Sequence, residues 1–237
     1  MVDIVDKVDI VDKVDMANID MANVKKILDL YEKYGNNDYI GEHITQIEHA
    51  LQCAECAETD PRMAIYDDYI KNCVIVAALL HDIGHLVGME KGEMEMKMKD
   101  ENSINDENGV NGMGISLGIV GHEGIGSEFL KECGMPYLIC ELVGSHVQAK
   151  RYLCTISRYY YDKLSDASQE TMKIQGGLMS PDELRDFKKS ILPELKIYLR
   201  EYDDSGKKID IINTTIPNSI EKYKKQIELA LIHGKVF

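Results

Sequence analysis

The sequence predicts an all-α fold, and three observations lead to that class. Apolar residues recur at helical spacing over most of the chain, capping boxes and glycine stops mark several segment ends, and no segment shows sustained strict alternation of the strand type. A chain of 237 residues is long enough to bury a sizeable core. We therefore expect one helical bundle that covers residues 24–237.

The first two helices have clear local signals. The first is predicted over residues 24–34, where apolar side chains share one face, and it ends at Gly35. Thr45 and Glu48 form a capping box, in which each residue bonds the backbone of the other. This box predicts a second helix that continues to about Glu58.

The central helix is predicted from the apolar run Cys73–Leu80. Asp60 followed by Pro61 opens this segment, because proline is well tolerated at the first helical position, and the segment reaches His81 and Asp82. Further helices are predicted over residues 121–133, 136–153, 192–203 and 219–233, and after the capping box of Ser180 and Glu183.

Two segments depart from the pattern of the bundle. Residues 1–23 contain VDIVDK twice and then DMAN twice, and we expect a disordered extension or a frayed helix there. Residues 88–111 are rich in Glu, Lys, Met, Asn and Gly without a sustained period. We expect a flexible surface insertion in that range.

The charge balance excludes some classes of partner. Lys and Arg number 27 and Asp and Glu number 41, so the net charge is −14 and no basic surface is expected for nucleic acid or anionic lipid. The run 73–80 is far shorter than the roughly 20 residues of a membrane helix, and the N-terminus lacks the pattern of a signal peptide. We expect a soluble, cytoplasmic protein with no nucleic-acid or membrane partner.

The residues that indicate chemistry are histidines with an adjacent carboxylate. The segment His81-Asp82-Ile83-Gly84-His85 ends the central apolar helix, and Gly84 allows a sharp turn there. His49 lies upstream on a capped helix, and His122 and His146 lie downstream on predicted helices. A lone His-Asp pair is a weak signal, but this combination predicts a buried cluster of imidazole and carboxylate groups.

This pattern resembles the HD-domain superfamily of metal-dependent phosphohydrolases and related oxygenases, whose helical bundle gathers His, His-Asp and a late Asp around metal. The late Asp is expected at Asp203 rather than Asp204, because Asp203 shares a helix face with Arg200. The resemblance thus implies six metal ligands, which are His49, His81, Asp82, His122, His146 and Asp203.

The kind of ligand favours particular metals. Imidazole and carboxylate without thiolate suit Fe, Mn or Mg, and the number of imidazoles favours iron. Six protein ligands exceed the needs of one ion, so two ions are expected, with Asp82 bridging them.

Several connecting segments resemble one oxygenase branch of the superfamily, over about residues 24–210. The segments are residues 39–42, 146–153, 164–168, 175–177 and 200–203. They are similar to the oxygenases that cleave the carbon–phosphorus bond of 2-amino-1-hydroxyethylphosphonate or of its N-trimethyl analogue, and myo-inositol oxygenase is a more distant cousin. The resemblance implies a mixed-valence Fe(II)/Fe(III) enzyme of the dioxygenase type with O2 as co-substrate, which releases phosphate and glycine or glycine betaine.

The resemblance also implies residues that bind the organophosphonate substrate. Lys150 follows the ligand His146 by one helical turn, and Arg200 precedes Asp203 by three residues, so both cations are placed beside the metals. Two cations suit a dianionic phosphonate. Ser168, near the start of a predicted helix, adds a hydroxyl group there.

Three further residues have implied roles at the reacting end of the substrate. Glu42 is expected to hold the cationic amine, and Tyr39 to cover the site as a lid or to occupy an open iron position. His85, one turn from His81, is expected to line the pocket and bond a substrate oxygen.

Two alternatives stay beside the oxygenase. The same metals could activate water in a phosphohydrolase acting on a nucleotide or another phosphate ester. A binding or regulatory module with a vestigial site is disfavoured, because no expected ligand is missing. The sequence leaves open the choice between the amino and trimethylammonio substrates and the oligomeric state.

Overall fold

The computed structural model describes residues 21–39, 41–93, 96–97, 116–209 and 219–234. The α-helices are α1 (Met21–Tyr34), α2 (Gln46–Thr59), α3 (Asp68–Leu80), α4 (Ile83–Lys91), α5 (His122–Glu132), α6 (Tyr137–Ile156), α7 (Arg158–Lys163), α8 (Asp166–Ile174), α9 (Pro181–Lys189), α10 (Pro193–Ser205) and α11 (Lys224–Gly234). Two 3-10 helices, Pro61–Ile65 and Ile220–Tyr223, and two short strands, β1 (Met96–Lys97) and β2 (Ser116–Gly118), complete the described elements.

The predicted all-α class is confirmed. The departures within the described ranges are an isolated antiparallel bridge between Asp38 and Thr45 and the antiparallel pairing of β1 with β2, in which Met96 lies opposite Gly118 and Lys97 opposite Ser116. This pairing is too short to form a layer, so the helices alone build the core.

Local hydrogen bonds explain where the helices begin. The Thr45 hydroxyl accepts from the Glu48 backbone at 3.3 Å, and the Glu48 carboxylate accepts from the Thr45 backbone at 2.7 Å, so the predicted capping box starts α2. The segment opened by Asp60 differs from the prediction because it forms a 3-10 helix and then breaks. Asp67 caps a new helix there, since its carboxylate accepts from the backbone of Ile70 at 2.8 Å.

The predicted extension and insertion lie mostly outside the described residues. Met21–Asn23, which the sequence assigns to the extension, belong to the first turn of α1, and the Asn23 amide donates to the carbonyl of Cys133 at 3.0 Å. Residues 88–91, assigned to the insertion, belong to α4. Of the remaining residues in the two predicted segments, the structure describes only residues 92–93 and 96–97.

Helix α3 lies in the centre of the bundle. It contacts α2, α6, α10 and α11, and the side chains of Val74, Val76, Leu79 and Leu80 are fully buried. Burial of each such side chain contributes roughly 1.5–3 kcal/mol. Because α3 ends at Leu80, the residues that follow it are placed in the protein interior.

A close approach of two backbones shapes the turn after α3. A Cβ atom at Gly84 would lie 1.9 Å from the carbonyl oxygen of His122, so only glycine permits α4 and α5 to meet at this distance. This contact brings the start of α5 next to the end of α3.

Among the described residues, no individual helix is long and apolar enough to cross a bilayer. Within the described ranges, α3 and α4 have the length and apolar character of a membrane span only when they are taken together, and a 45° bend separates them.

Candidate metal centre

The six predicted ligands converge in the interior of the bundle. They come from α2, the end of α3, α5, α6 and α10, and each is at most 8% exposed. The members of this group, called the ligand cluster below, are His49, His81, Asp82, His122, His146 and Asp203. The structure brings them together, and their binding of metal stays a prediction.

Backbone carbonyls orient all four imidazoles of the ligand cluster. The Nδ1 atoms of His49, His81, His122 and His146 lie 2.9, 2.9, 3.2 and 2.7 Å from the carbonyl oxygens of Gly206, Ala78, Ile119 and Val143. A carbonyl oxygen only accepts, so each Nδ1 carries the proton and donates it. In a neutral ring the Nε2 atom then presents a lone pair to the interior, which is the atom that a histidine oriented in this way offers to a metal ion.

The four Nε2 atoms form two pairs. The distance is 3.2 Å between His49 and His81 and 3.0 Å between His122 and His146. When both rings of a pair are neutral, two lone pairs face each other, and a proton or a metal ion between them would stabilise the contact. Donors about 2.1 Å from one ion and at right angles to each other lie about 3 Å apart, so the spacing fits a metal ion at each pair.

Asp82 lies between the two histidine pairs. Its Oδ2 is 3.6 Å from His49 Nε2 and 3.2 Å from His81 Nε2, and its Oδ1 is 3.4 Å from His122 Nε2 and 3.5 Å from His146 Nε2. One carboxylate oxygen thus faces each pair. The residues present fit two ions that share the Asp82 carboxylate.

Opposite charges in the ligand cluster shift one another's pKa values. Burial opposes the charged form of Asp82, but His81 and His122 outweigh it and hold the pKa of this carboxyl well below its usual range. Burial also opposes a charged His81, but Asp82 outweighs it and raises the pKa of this imidazole to about 9. Burial and the neighbouring His122 lower the pKa of His146 to about 3. Without metal, positive charge is therefore concentrated at His81.

Asp203 supplies a second carboxylate on the side of His49. Its Oδ1 lies 3.4 Å from His49 Nε2 and has no hydrogen-bond partner among the described residues, whereas its Oδ2 accepts from Arg200 at 2.6 Å. An unpaired buried carboxylate oxygen is costly, and a metal ion at the first histidine pair would satisfy it. Asp204 instead bonds Arg200 and Tyr160.

Cys53 is also close to the first pair, with Sγ 3.6 Å from His49 Nε2. Burial raises the pKa of this thiol well above its usual value. The thiolate is the form that binds metal, so the ionised Asp203 is the better ligand at this position.

Tyr39 covers the first pair. Its ring stacks on His49 with centroids 3.9 Å apart, and its hydroxyl donates to Asp82 Oδ2 at 3.0 Å. Burial raises the pKa of this phenol well above its usual value, so the hydroxyl keeps its proton. Tyr39 thus lies over the first pair, and its role as a lid or at an open iron position stays a prediction.

His85 covers the second pair in a similar way. Its ring stacks on His122 with centroids 4.0 Å apart, and its Nδ1 accepts from the backbone of Ile119 at 3.0 Å. The Nε2 of His85 therefore carries the proton. Burial and the adjacent His122 hold the pKa of His85 well below its usual range, so it is a neutral donor.

A polar cavity of about 40 Å³ adjoins the ligand cluster. It is lined by every residue predicted to bind substrate, which are Glu42, His85, Lys150, Ser168 and Arg200, and by Tyr39. Lys150 donates to the Thr171 hydroxyl at 3.0 Å. Burial and the Arg200 guanidinium lower the pKa of Lys150 to about 7.

Three polar residues of the cavity wall were given no role by sequence reasoning, Thr171, Gln175 and Lys207. Lys207 follows Asp203 by four residues, which is the spacing that identified Lys150 after His146. The same rule could have found it. Thr171 lies on α8 among ordinary polar residues, and its local sequence carries no comparable signal.

The comparisons with known proteins define the class. The HD domain family matches residues 47–174, which is more than half of the chain, and the chain belongs to this family. The matched range holds five members of the ligand cluster, and Asp203 lies beyond it. The family, the ligand cluster and the relatives together indicate a metal-dependent enzyme.

Three relatives cover most of the chain. An uncharacterized protein of Acanthamoeba polyphaga mimivirus is 37% identical over 187 residues, which are 79% of this chain and 74% of the relative. The [1-hydroxy-2-(trimethylamino)ethyl]phosphonate dioxygenase (glycine-betaine-forming) of Leisingera caerulea is 32% identical over 199 residues, 83% of this chain and 86% of the relative. The hydroxymethylphosphonate dioxygenase of Gimesia maris is 30% identical over 214 residues, 89% of each chain.

Proposed function

We propose that this protein is a mixed-valence di-iron oxygenase that uses O2 to cleave the carbon–phosphorus bond of an α-hydroxyphosphonate. One observation carries the proposal: Asp82 directs one oxygen to each histidine pair, next to a cavity that contains Lys150 and Arg200. The site thus combines places for two ions with cations for a dianion. The relatives named as phosphonate dioxygenases support the same reaction class.

The net reaction balances with O2 as the oxidant. An α-hydroxyphosphonate, R–CH(OH)–PO3²⁻, and O2 give R–COO⁻, HPO4²⁻ and H⁺. The carbon that bears the hydroxyl group is oxidised, and its bond to phosphorus is broken. The substrates implied by the sequence are the 2-amino-1-hydroxyethyl compound and its N-trimethyl analogue, and the relative from Gimesia maris adds hydroxymethylphosphonate.

The residues that would hold the two irons are the six members of the ligand cluster. When bound, the irons supply the redox chemistry that activates O2 and the Lewis acidity that binds the hydroxyl and phosphonate oxygens.

The chain's own side chains position the substrate. Lys150 and Arg200 face the cavity and neutralise the phosphonate, and Ser168 adds a hydroxyl group beside it. His85 donates from Nε2 to a substrate oxygen, because its Nδ1 already accepts from the backbone. Tyr39 covers the ligand cluster and excludes water until substrate takes its place.

The alternative is a phosphohydrolase of the same family, in which the ions activate water against a phosphate ester. The donor set also suits that reaction, and the cations of the cavity would bind its phosphate group equally well. The two functions differ in one requirement, because only the oxygenase consumes O2.

The test compares phosphate release with and without O2. Protein loaded with iron is given each of the three hydroxyphosphonates and, separately, a nucleotide as phosphate ester, aerobically and anaerobically, and O2 uptake and phosphate are measured together. We expect one phosphate per O2 in air and none without O2. Release of phosphate from a phosphate ester under anaerobic conditions, with no O2 uptake on any hydroxyphosphonate, would establish the hydrolase instead.

A further inference from the structure

Lys207 lies in the cavity wall, and three oxygen atoms surround its ammonium group. Its Nζ donates to Ser168 Oγ at 3.0 Å, lies 3.6 Å from Glu42 Oε1 and lies 4.0 Å from Asp203 Oδ1. The side chain is only 14% exposed. Lys207 is therefore part of the site and not a solvated surface lysine.

The backbone on both sides of Lys207 is held in place. The carbonyl of Gly206 accepts from His49 Nδ1 at 2.9 Å. Lys208 exchanges two backbone hydrogen bonds with the Gln52 amide, at 2.9 and 3.0 Å. The ammonium of Lys207 is thus directed to the cavity by the same contacts that orient a predicted metal ligand.

The Glu42 carboxylate is the group whose negative charge this ammonium balances. Its Oε1 is buried and has no hydrogen-bond partner among the described residues, and Lys207 provides a positive charge beside it. The other two cations of the cavity have different partners, because Arg200 pairs with Asp203 and Lys150 donates to Thr171. Glu42 already has a counterion within the protein.

We propose that Lys207 is a specificity-determining residue that makes the cavity select α-hydroxyphosphonates with an uncharged substituent over those with an ammonium group. This inference rests on the proposed function and narrows its substrate class. A substrate ammonium at Glu42 would meet the charge of Lys207 and would have to displace it. The inference replaces the expectation from sequence that Glu42 holds a substrate amine.

The experiment measures kcat/KM for hydroxymethylphosphonate, 2-amino-1-hydroxyethylphosphonate and the N-trimethyl analogue, with O2 uptake and phosphate release as readouts. We expect the wild-type protein to prefer hydroxymethylphosphonate at least tenfold. In Lys207→Met the ratio of amino to hydroxymethyl substrate should rise at least tenfold. The matched control is Lys208→Met, because the Lys208 side chain is exposed and outside the cavity, and it should leave the ratio unchanged within twofold.

Binding provides a second readout that is independent of turnover. Anaerobic calorimetry on the iron-loaded protein should show the same shift in the ratio of Kd values, and Lys207→Arg, which keeps the charge, should retain the wild-type ratio. A wild-type preference for the ammonium substrates, or a ratio that Lys207→Met does not move, would overturn the inference while the proposed function stands. No O2 uptake with any of the three compounds would overturn both.

Discussion

The hydroxyl of Tyr39 donates to the Oδ2 atom of Asp82 at 3.0 Å, the same oxygen that faces His49 and His81. This bond gives a buried carboxylate a neutral donor on the side where a metal ion is expected. The hydroxyl and an ion at the first histidine pair thus stabilise the same negative charge.

Tyr39→Phe should therefore destabilise the metal-free protein more than the metal-loaded protein. Hydrogen bonds to charged groups contribute about 1.5–3 kcal/mol, and we expect a loss of that size in the free energy of unfolding after chelation. With metal bound, the ion stabilises the carboxylate and the loss should be smaller. Urea unfolding with and without chelator measures both values, and an equal loss in the two states would contradict the shared role.

Asp82→Asn should prevent stable binding of both metal ions, because one carboxylate serves the two histidine pairs. Metal analysis of protein from iron-supplied cells should give close to two ions per wild-type chain and less than one per variant chain. Asp204→Asn is the control, since Asp204 bonds Arg200 and Tyr160 and faces no histidine pair, and it should keep two ions. Two ions in the Asp82 variant would exclude the bridge.

Binding of an anion to the cavity should depend on pH through Lys150. Burial and Arg200 lower the pKa of this amine to about 7, so it is neutral above that pH in the free protein, and a bound dianion restores its charge. Binding of inorganic phosphate to the metal-free protein should therefore take up about one proton at pH 8.5, where phosphate is already a dianion, and should weaken as the pH rises above about 8.

Calorimetry in two buffers of different ionisation enthalpy measures this proton. Lys150→Met should reduce the uptake to near zero, whereas Lys208→Met should not change it. Equal uptake in wild type and Lys150→Met would assign the proton to another group. The free energy of unfolding depends on pH in the opposite direction. Because folding lowers the pKa of Lys150, the contribution of this residue to stability increases as the pH rises from about 7 toward the pKa of lysine in the unfolded chain.

Gly84→Ala should destabilise the turn between α3 and α4. The new Cβ atom would lie 1.9 Å from the carbonyl oxygen of His122, so one of the two backbones must move, at a cost of about 1–3 kcal/mol or more. Gly124→Ala is the matched control on α5, because a Cβ atom there meets nothing within 4 Å. Thermal unfolding should show a lower Tm for Gly84→Ala and an unchanged or higher Tm for Gly124→Ala.

The sequence predicted features that depend on nearby residues. The capping box of Thr45 and Glu48 is formed by residues three positions apart, so its pattern was visible and its helix begins where expected. The break before Asp67 was missed, because the apolar run that follows Asp67 made the whole segment look like one long helix. The capping role of Asp67 was therefore not recognised. Local patterns therefore predicted helices better than their interruptions.

Features of the site that depend on distant contacts were harder to predict. The pairing of His49 with His81, and of His122 with His146, follows from packing in the bundle and cannot be derived from spacing along the chain. The spacing of Lys207 after Asp203 was visible in the sequence, but its contact with Glu42, which lies far away in the chain, was not. The resemblance to a family identified the predicted ligands, whereas the groups that contact each ligand are known only from the fold.

The four carbonyl contacts of the histidine rings have a consequence for the choice of ion. They fix the rings before any ion arrives, so the spacing of the Nε2 atoms does not adapt freely to the ion. An ion that prefers six to eight oxygen ligands, such as calcium, would meet imidazole nitrogens that cannot turn aside for water or carboxylate. We therefore expect the backbone contacts to favour ions that accept imidazole, because rotation of the rings away from an unsuitable ion would break those contacts.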